Sequence, residues 1–338
     1  MKNPLVKTAS ISKARTLALF TALALTAAAC GADATATESP NDDSAETPQT
    51  QEATETAEAA SDDVADANLG DPQDLALSFD GLEPLGDTHN YEAWVVVDGE
   101  PVTAGIFDID DAGKAATNQG EPAKFVSYEG ATDVVISIEP QVDDDPAPAA
   151  TKILGGALDE EGNVELSIDH PAALATDFSD ASGSYILATP TTETTDDENS
   201  GVWFLSLPGP EQSLSLPDLP EGWVYEGWAV VDGTPLSTGR FTSASGADDF
   251  NAFSGDGDAP PYPGEDFVSN APDGLTFPID LSGGNVVISV EPDTDNSEAP
   301  FTLKPLVAEV PQTTEAIDHM NFQLETKPGG ITGTGIVG

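Results

Sequence analysis

The sequence predicts an all-β protein built as two tandem antiparallel β-sandwiches behind a disordered acidic linker. Three observations carry this expectation. First, part of the chain is duplicated: Tyr91–Pro101 returns nearly unchanged as Tyr225–Pro235, and Val134–Pro140 returns as Val286–Pro292. The offsets, 134 (225 − 91) and 152 (286 − 134), are too long for a solenoid unit and suit a duplicated domain. Second, the repeated segments are aromatic and β-branched runs bounded by turn formers, the composition of strands. Third, no amphipathic helical pattern stands after position 30.

The chain opens with Lys2, Lys7, Lys13 and Arg15, followed by an apolar run from Thr16 to Ala29. That run is shorter than the roughly 20 residues a spanning helix needs and has the make-up of an export signal. It ends at Cys30, the only cysteine, with Ala27, Ala28 and Ala29 before it and Gly31 after it. The arrangement resembles the lipobox of bacterial lipoproteins, although leucine is commoner where Ala27 stands. It implies lipidation of Cys30 and a membrane anchor of acyl chains. The other reading is an ordinary secretory signal cut near Ala29. A lone cysteine in an exported chain has no disulfide partner, which favours the lipid. Gly31 rather than an acid after Cys30 points to the outer membrane or cell surface over the inner membrane.

Residues 30–74 form the tether. From 31 onward this stretch is mostly Ala, Thr, Glu, Asp, Ser and Pro, with no Lys, Arg or aromatic residue. Such a segment cannot bury enough apolar surface to offset chain entropy, and its like charges extend it.

All 61 acidic residues lie after position 30, where six of the 10 basic ones remain, so the exported part carries 6 − 61 = −55. Nucleic acid is excluded as a partner, because phosphate binding needs clustered Lys and Arg. Adsorption to anionic lipid headgroups is excluded for the same reason. Self-repulsion on this scale is relieved by salt, so the composition suits saline surroundings. Calcium is the one cofactor the acid-rich loops leave open, at Asp108-Asp110-Asp111, Asp143-Asp144-Asp145 and Asp293-Asp295. None has EF-hand spacing, Gln119 standing where the twelfth-position acid belongs, and solvated turns are the stronger reading.

The strands follow in order. Leu75–Phe79 precedes a Gly81 and Pro84 turn region. Tyr91–Val97 and Tyr225–Val231 are apolar on both faces and read as central strands. Asp98-Gly99 and Asp232-Gly233 are hairpin turns, returning through Val102–Phe107 and Leu236–Phe241. Gly105 and Gly239 coincide in the two copies and mark a bulge or close backbone approach. Val134–Ile138 and Val286–Val290 are buried strands, stopped by Glu139-Pro140 and Glu291-Pro292. Ser184–Ala188 and Gly201–Leu207 form a hairpin around an acidic tip. A Gly- and Pro-rich insertion spans Asp256–Gly284, Asn321–Leu324 reads as an edge strand, and the Gly-rich end reads as frayed. The boundaries are 75–182 for the first Ig-like sandwich, 183–327 for the second and 328–338 for a flexible tail.

The repeated residues are similar to the extracytoplasmic C-terminal domain of anti-sigma-K factors. They comprise Tyr91, Trp94, Asp98, Gly99, Gly105, Phe107, Glu139 and Pro140, and again Tyr225, Trp228, Asp232, Gly233, Gly239, Phe241, Glu291 and Pro292. The resemblance covers roughly 75–168 and 184–312 and implies a β-sandwich with a place in envelope signalling. Members of that family carry a cytosolic sigma-binding region and a spanning helix ahead of this domain. Neither is legible here, so direct sigma-factor binding is not expected.

Catalytic chemistry finds little support. His89, His170 and His319 are too scattered for a metal cluster or a nucleophile-base pair. Glu92 and Glu226 occupy equivalent positions, as do Glu139 and Glu291; a paired acid site competes with the commoner strand-end acid bonded to backbone. Trp94 and Trp228 read as core rather than as a sugar platform, whereas Trp203 and Trp223 read as the more exposed aromatics. The expectation is a non-enzymatic, lipid-anchored protein that binds or senses an envelope protein or glycan. A calcium-assisted or glycan-binding adhesive module is the alternative.

Overall fold

The computed structural model describes residues 69–143, 145–295, 297–312, 320–327 and 330–338. Cys30, most of the tether, Asp144 and His319 lie outside the described residues. Twenty strands and one 3-10 turn (Glu198–Ser200) make up the regular structure, and no α-helix occurs among the described residues. The fold is all-β.

The first half contains β1 (Pro72–Asp80), β2 (His89–Val97), β3 (Glu100–Ile109), β4 (Ala115–Ala116), β5 (Phe125–Tyr128), β6 (Ala131–Pro140), β7 (Lys152–Ala157) and β8 (Asn163–Ser167). The second contains β9 (Ser184–Leu187), β10 (Gly201–Trp203), β11 (Leu205–Ser206), β12 (Glu211–Gln212), β13 (Trp223–Val231), β14 (Thr234–Phe241), β15 (Gly264–Asp266), β16 (Asn285–Pro292), β17 (Leu306–Glu309), β18 (Phe322–Gln323) and β19 (Glu325–Thr326). The chain ends in β20 (Thr332–Val337).

A nine-stranded antiparallel sheet runs β4-β3-β2-β6-β7-β8-β20-β1-β5. It folds over on itself, because Phe107 of β3 meets residues from its far end. Phe107 stacks on Phe79 of β1 at 4.9 Å and meets Phe125 of β5 edge-on at 5.2 Å. Aromatic pairs of this kind add about 0.5–1.5 kcal/mol to what burial contributes. In the second half, a five-stranded sheet (β14-β13-β16-β17-β19) stands with a four-stranded sheet (β15-β10-β9-β18) and a short β11-β12 ribbon. One hydrophobic cluster contains Tyr91, Phe107 and Ile136 together with Tyr225, Phe241 and Ile288.

The duplicated strands adopt the same register. β2 lies between β3 and β6, and β13 between β14 and β16, which explains their two apolar faces. Both hairpins turn through residues of positive φ: Asp98 (53°) and Gly99 (85°), then Asp232 (51°) and Gly233 (80°). This is the conformation two-residue hairpins favour, because it matches strand twist. Both carry a bulge at the same place, Ala93/Trp94 and Gly227/Trp228. Opposite each bulge sits the repeated glycine. A Cβ on Gly105 would come within 2.7 Å of the Lys124 carbonyl, and one on Gly239 within 2.6 Å of Asp248 Cγ. Close approach is therefore the shared demand, met by different partners.

The Gly-rich end corrects the expectation of a frayed tail. β20 sits inside the first sheet, paired with β8 on one side and β1 on the other. Thr and Gly alternate along it, and the glycines make room for large neighbours. A Cβ on Gly335 would meet Leu77 at 2.6 Å and Val164 at 2.9 Å. The segment supplies backbone to a ladder whose flanking strands supply the apolar bulk.

Candidate functional site

Alternation along β2 places Tyr91, Ala93 and Val95 on the core face and sends Glu92 and Trp94 to the opposite face. There they meet Ser137 and Glu139 of β6. Trp94 Nε1 donates to Ser137 Oγ at 2.8 Å, and Ser137 Oγ donates in turn to Glu139 Oε1. The same carboxylate oxygen accepts the Ala149 amide at 2.8 Å, holding the loop that follows β6. Beside this relay, Thr103 Oγ1 donates to Glu92 Oε1 at 2.5 Å.

The second copy reproduces the relay group by group. Trp228 Nε1 donates to Ser289 Oγ at 2.8 Å, Ser289 donates to Glu291, and Glu291 Oε1 accepts the Phe301 amide at 2.9 Å. Ser237 Oγ donates to Glu226 Oε1 at 2.5 Å. Even the tyrosine hydroxyls agree: Tyr91 donates to the Glu83 carbonyl at 2.8 Å and Tyr225 to the Pro217 carbonyl at 2.6 Å. Buried polar groups persist only when bonded, and each relay satisfies an indole, a hydroxyl, a carboxylate oxygen and an amide together.

Burial raises all four of these acids. Desolvation dominates for Glu92, Glu139 and Glu226 and outweighs the hydrogen bonds that favour the charged form. Glu291 is pushed up to about 7 by the same cause, reinforced by Glu226 and Asp295. The second copy adds an ion pair: Arg240 Nε stands 2.9 Å from Glu226 Oε2. Its remaining nitrogens donate to the backbone carbonyls of Asp293, at 3.4 Å, and Asp295.

Asp248 and the insertion that follows it in the second half form a further acid cluster. Asp266 accepts from Trp203 Nε1 at 2.7 Å, from the Thr191 amide at 2.9 Å and from the Thr191 hydroxyl. Asp248 Oδ2 accepts the Gly264 amide at 2.7 Å, and Glu265 Oε1 accepts the Phe253 amide at 2.7 Å. Desolvation pushes Asp248 up to about 7 and Glu265 up to about 8. Both acids line a small cavity of about 230 Å³ with Trp203 and Tyr262. Sequence reading missed this cluster because the insertion is absent from the first copy; three acids among Gly, Pro and aromatic residues were its only signal.

Two aromatic expectations are corrected. Trp203 and Trp223 are 2 % and 3 % exposed. Trp203 is drawn inward by its bond to Asp266, and the Trp223 ring packs 6.3 Å from Phe301. Trp94 and Trp228 are buried, as their Val-rich strands predict. The acidic loops bind their own backbone: Asp110 Oδ1 accepts the Ala112 and Lys114 amides, Asp143 Oδ1 the Asp145 amide, and Asp295 Oδ1 the Ser297 amide. Among the described residues, no three His, Cys, Asp or Glu side chains are grouped to hold a metal.

His89 sits where the halves meet, its Nε2 3.2 Å from Thr294 Oγ1. It borders a cleft of about 610 Å³ that includes Leu85, Ile138, Pro292 and Phe301. His170 lies elsewhere, 3.7 Å from Asp133 and accepting the Ala172 amide.

Geometry of this kind, found twice, describes a structural module rather than a lone site. Residues 17–153 match the family model of the anti-sigma-K factor rskA C-terminal region. The match contains Trp94, Ser137 and Glu139 of the first relay and Gly105 opposite its bulge. The second copy lies beyond the matched residues and is tied to the first by the repeated register and hydrogen bonds. No curated protein and no solved structure matches the chain.

Proposed function

We propose that this is a non-enzymatic, lipid-anchored envelope protein whose paired anti-sigma-factor-like domains bind or sense an extracytoplasmic partner. The match of the first copy to the anti-sigma-K outer region carries this reading. The leader, the apolar run and Cys30 supply its membrane attachment. No helix among the described residues is long and apolar enough to cross a membrane. The repeated glutamates support a non-catalytic role, since each carboxylate is committed to a neighbouring hydroxyl and Glu139 and Glu291 also to a loop amide.

Metabolic labelling with a radioactive fatty acid tests the anchor. Label should enter the chain and be lost in Cys30→Ser, which should appear in the soluble extracytoplasmic fraction. Unlabelled wild-type chain would overturn the anchor. Crosslinking in intact cells followed by affinity capture tests the binding role, and recovery of a cytosolic sigma factor as the direct contact would contradict it.

A further inference from the structure

The two copies differ where one residue faces the repeated glutamate. Arg240 pairs directly across from Glu226 in β14-β13, and Ile106 pairs directly across from Glu92 in β3-β2. Directly opposed residues share a face of the sheet. Ile106 therefore occupies the place of the arginine, and it is 58 % exposed.

The glutamate and the loop that hold that arginine have counterparts in the first copy. Arg240 is held by the Glu226 carboxylate and by the Asp293 and Asp295 carbonyls. The corresponding loop begins with the Gln141 amide bonded to the Thr88 carbonyl at 2.9 Å, as the Asp293 amide bonds to Gly222 at 2.8 Å. It then turns on Asp143, whose Oδ1 accepts the Asp145 amide at 2.9 Å, as Asp295 accepts the Ser297 amide at 2.8 Å. These matched bonds make Gln141 and Asp143 the counterparts of Asp293 and Asp295 in the loop. Between them stands Val142, 88 % exposed.

We propose that Glu92, the Gln141 and Asp143 carbonyls and the exposed Ile106 and Val142 form a docking site for an arginine of a basic partner protein. The arginine would enter flanked by apolar side chains. Arg suits such a set better than Lys, because its planar guanidinium presents several donors at fixed angles to a carboxylate and carbonyls. No described Lys or Arg pairs with Glu92, and desolvation with the nearby Glu139 and Asp143 disfavours its charge. A bound cation relieves that cost. Ile106 and Val142 supply apolar contact at the rim, and the acidity of the chain draws a basic partner toward it. This site rests on the binding role proposed above and is independent of the lipid anchor.

Titration calorimetry on the full chain tests it, with acetyl-Leu-Arg-Leu-amide as probe and the citrulline peptide as its neutral counterpart. The arginine peptide should bind, and the citrulline peptide at least about tenfold more weakly, a difference of about 1.4 kcal/mol. Ile106→Arg, at an exposed position, should fill the site from within and abolish binding. Glu92→Gln should do the same, and Glu160→Gln, on a remote exposed turn, should leave binding intact. Equal binding of the two peptides, or undiminished binding to Ile106→Arg, would overturn the proposal.

Discussion

Trp94 and Ser137 stand on neighbouring strands, and the indole N–H of one donates to the hydroxyl of the other across 2.8 Å. Because Ser137 passes its own proton toward Glu139, one small side chain satisfies two larger ones. Replacing it leaves a buried indole and a buried carboxylate short of a partner, at about 1–3 kcal/mol for a group left unmet. Ser137→Ala should therefore lower the unfolding free energy from urea titration by that order, and Ser289→Ala should match it. A loss below about 0.5 kcal/mol in both would show that the relay is not a stabilising unit.

Three acids raised by burial set a pH dependence of definite sign. Glu291 and Asp248 are pushed up to about 7 and Glu265 to about 8, above their unfolded values. The native state then binds more protons than the unfolded one through this interval. Their contribution is fully present below about pH 4, the unfolded carboxylate range, and is lost as pH rises through 7 to 8. Each group adds a slope of up to about 1.4 kcal/mol per pH unit. Thermal melts should show stability falling from pH 5 to pH 9, and less steeply in Glu265→Gln. A rise over that interval would contradict the burial of these carboxyls in uncharged form.

The last strand is a structural member of the first half. Deleting residues 331–338 exposes the facing edges of β1 and β8 and removes the buried Ile331. Losing several ladder hydrogen bonds of about 1 kcal/mol each should lower the melting temperature by roughly 10 °C, at about 2–4 °C per kcal/mol. Unchanged melting would restore the reading of a frayed tail.

Net charge gives a further expectation. With 61 acids against 10 basic residues, stability should rise between about 10 mM and 1 M sodium chloride, as the screening length falls from about 30 to 3 Å. A flat response would show that the charges are spaced too widely to repel.

The repeated hairpins were legible in the sequence because Tyr, Trp and Asp-Gly recur at the same spacing in both copies, and Glu-Pro closes a Val-rich strand in each. Turn chemistry and strand period are local properties, and they hold wherever the chain is placed. The relay was half legible: Ser137 and Ser289 stand in the repeat, but their bonds to Trp94 and Trp228 depend on which strands become neighbours. β20 was hidden because its glycines reverse the usual signal, lending backbone where Leu77 and Val164 lend bulk. Trp203 was misplaced for a related reason. Its partner Asp266 lies 63 positions away (266 − 203), in an insertion with no counterpart to compare.

Hydrogen exchange at the indole N–H groups, followed by NMR on tryptophan-labelled protein, tests most directly whether both halves share one inner frame. Trp94 and Trp228 should both be protected, with Ser137→Ala accelerating exchange at Trp94 alone and Ser289→Ala at Trp228 alone. Rapid exchange at either indole in the wild-type chain, or no response of each tryptophan to loss of its serine, would contradict the account.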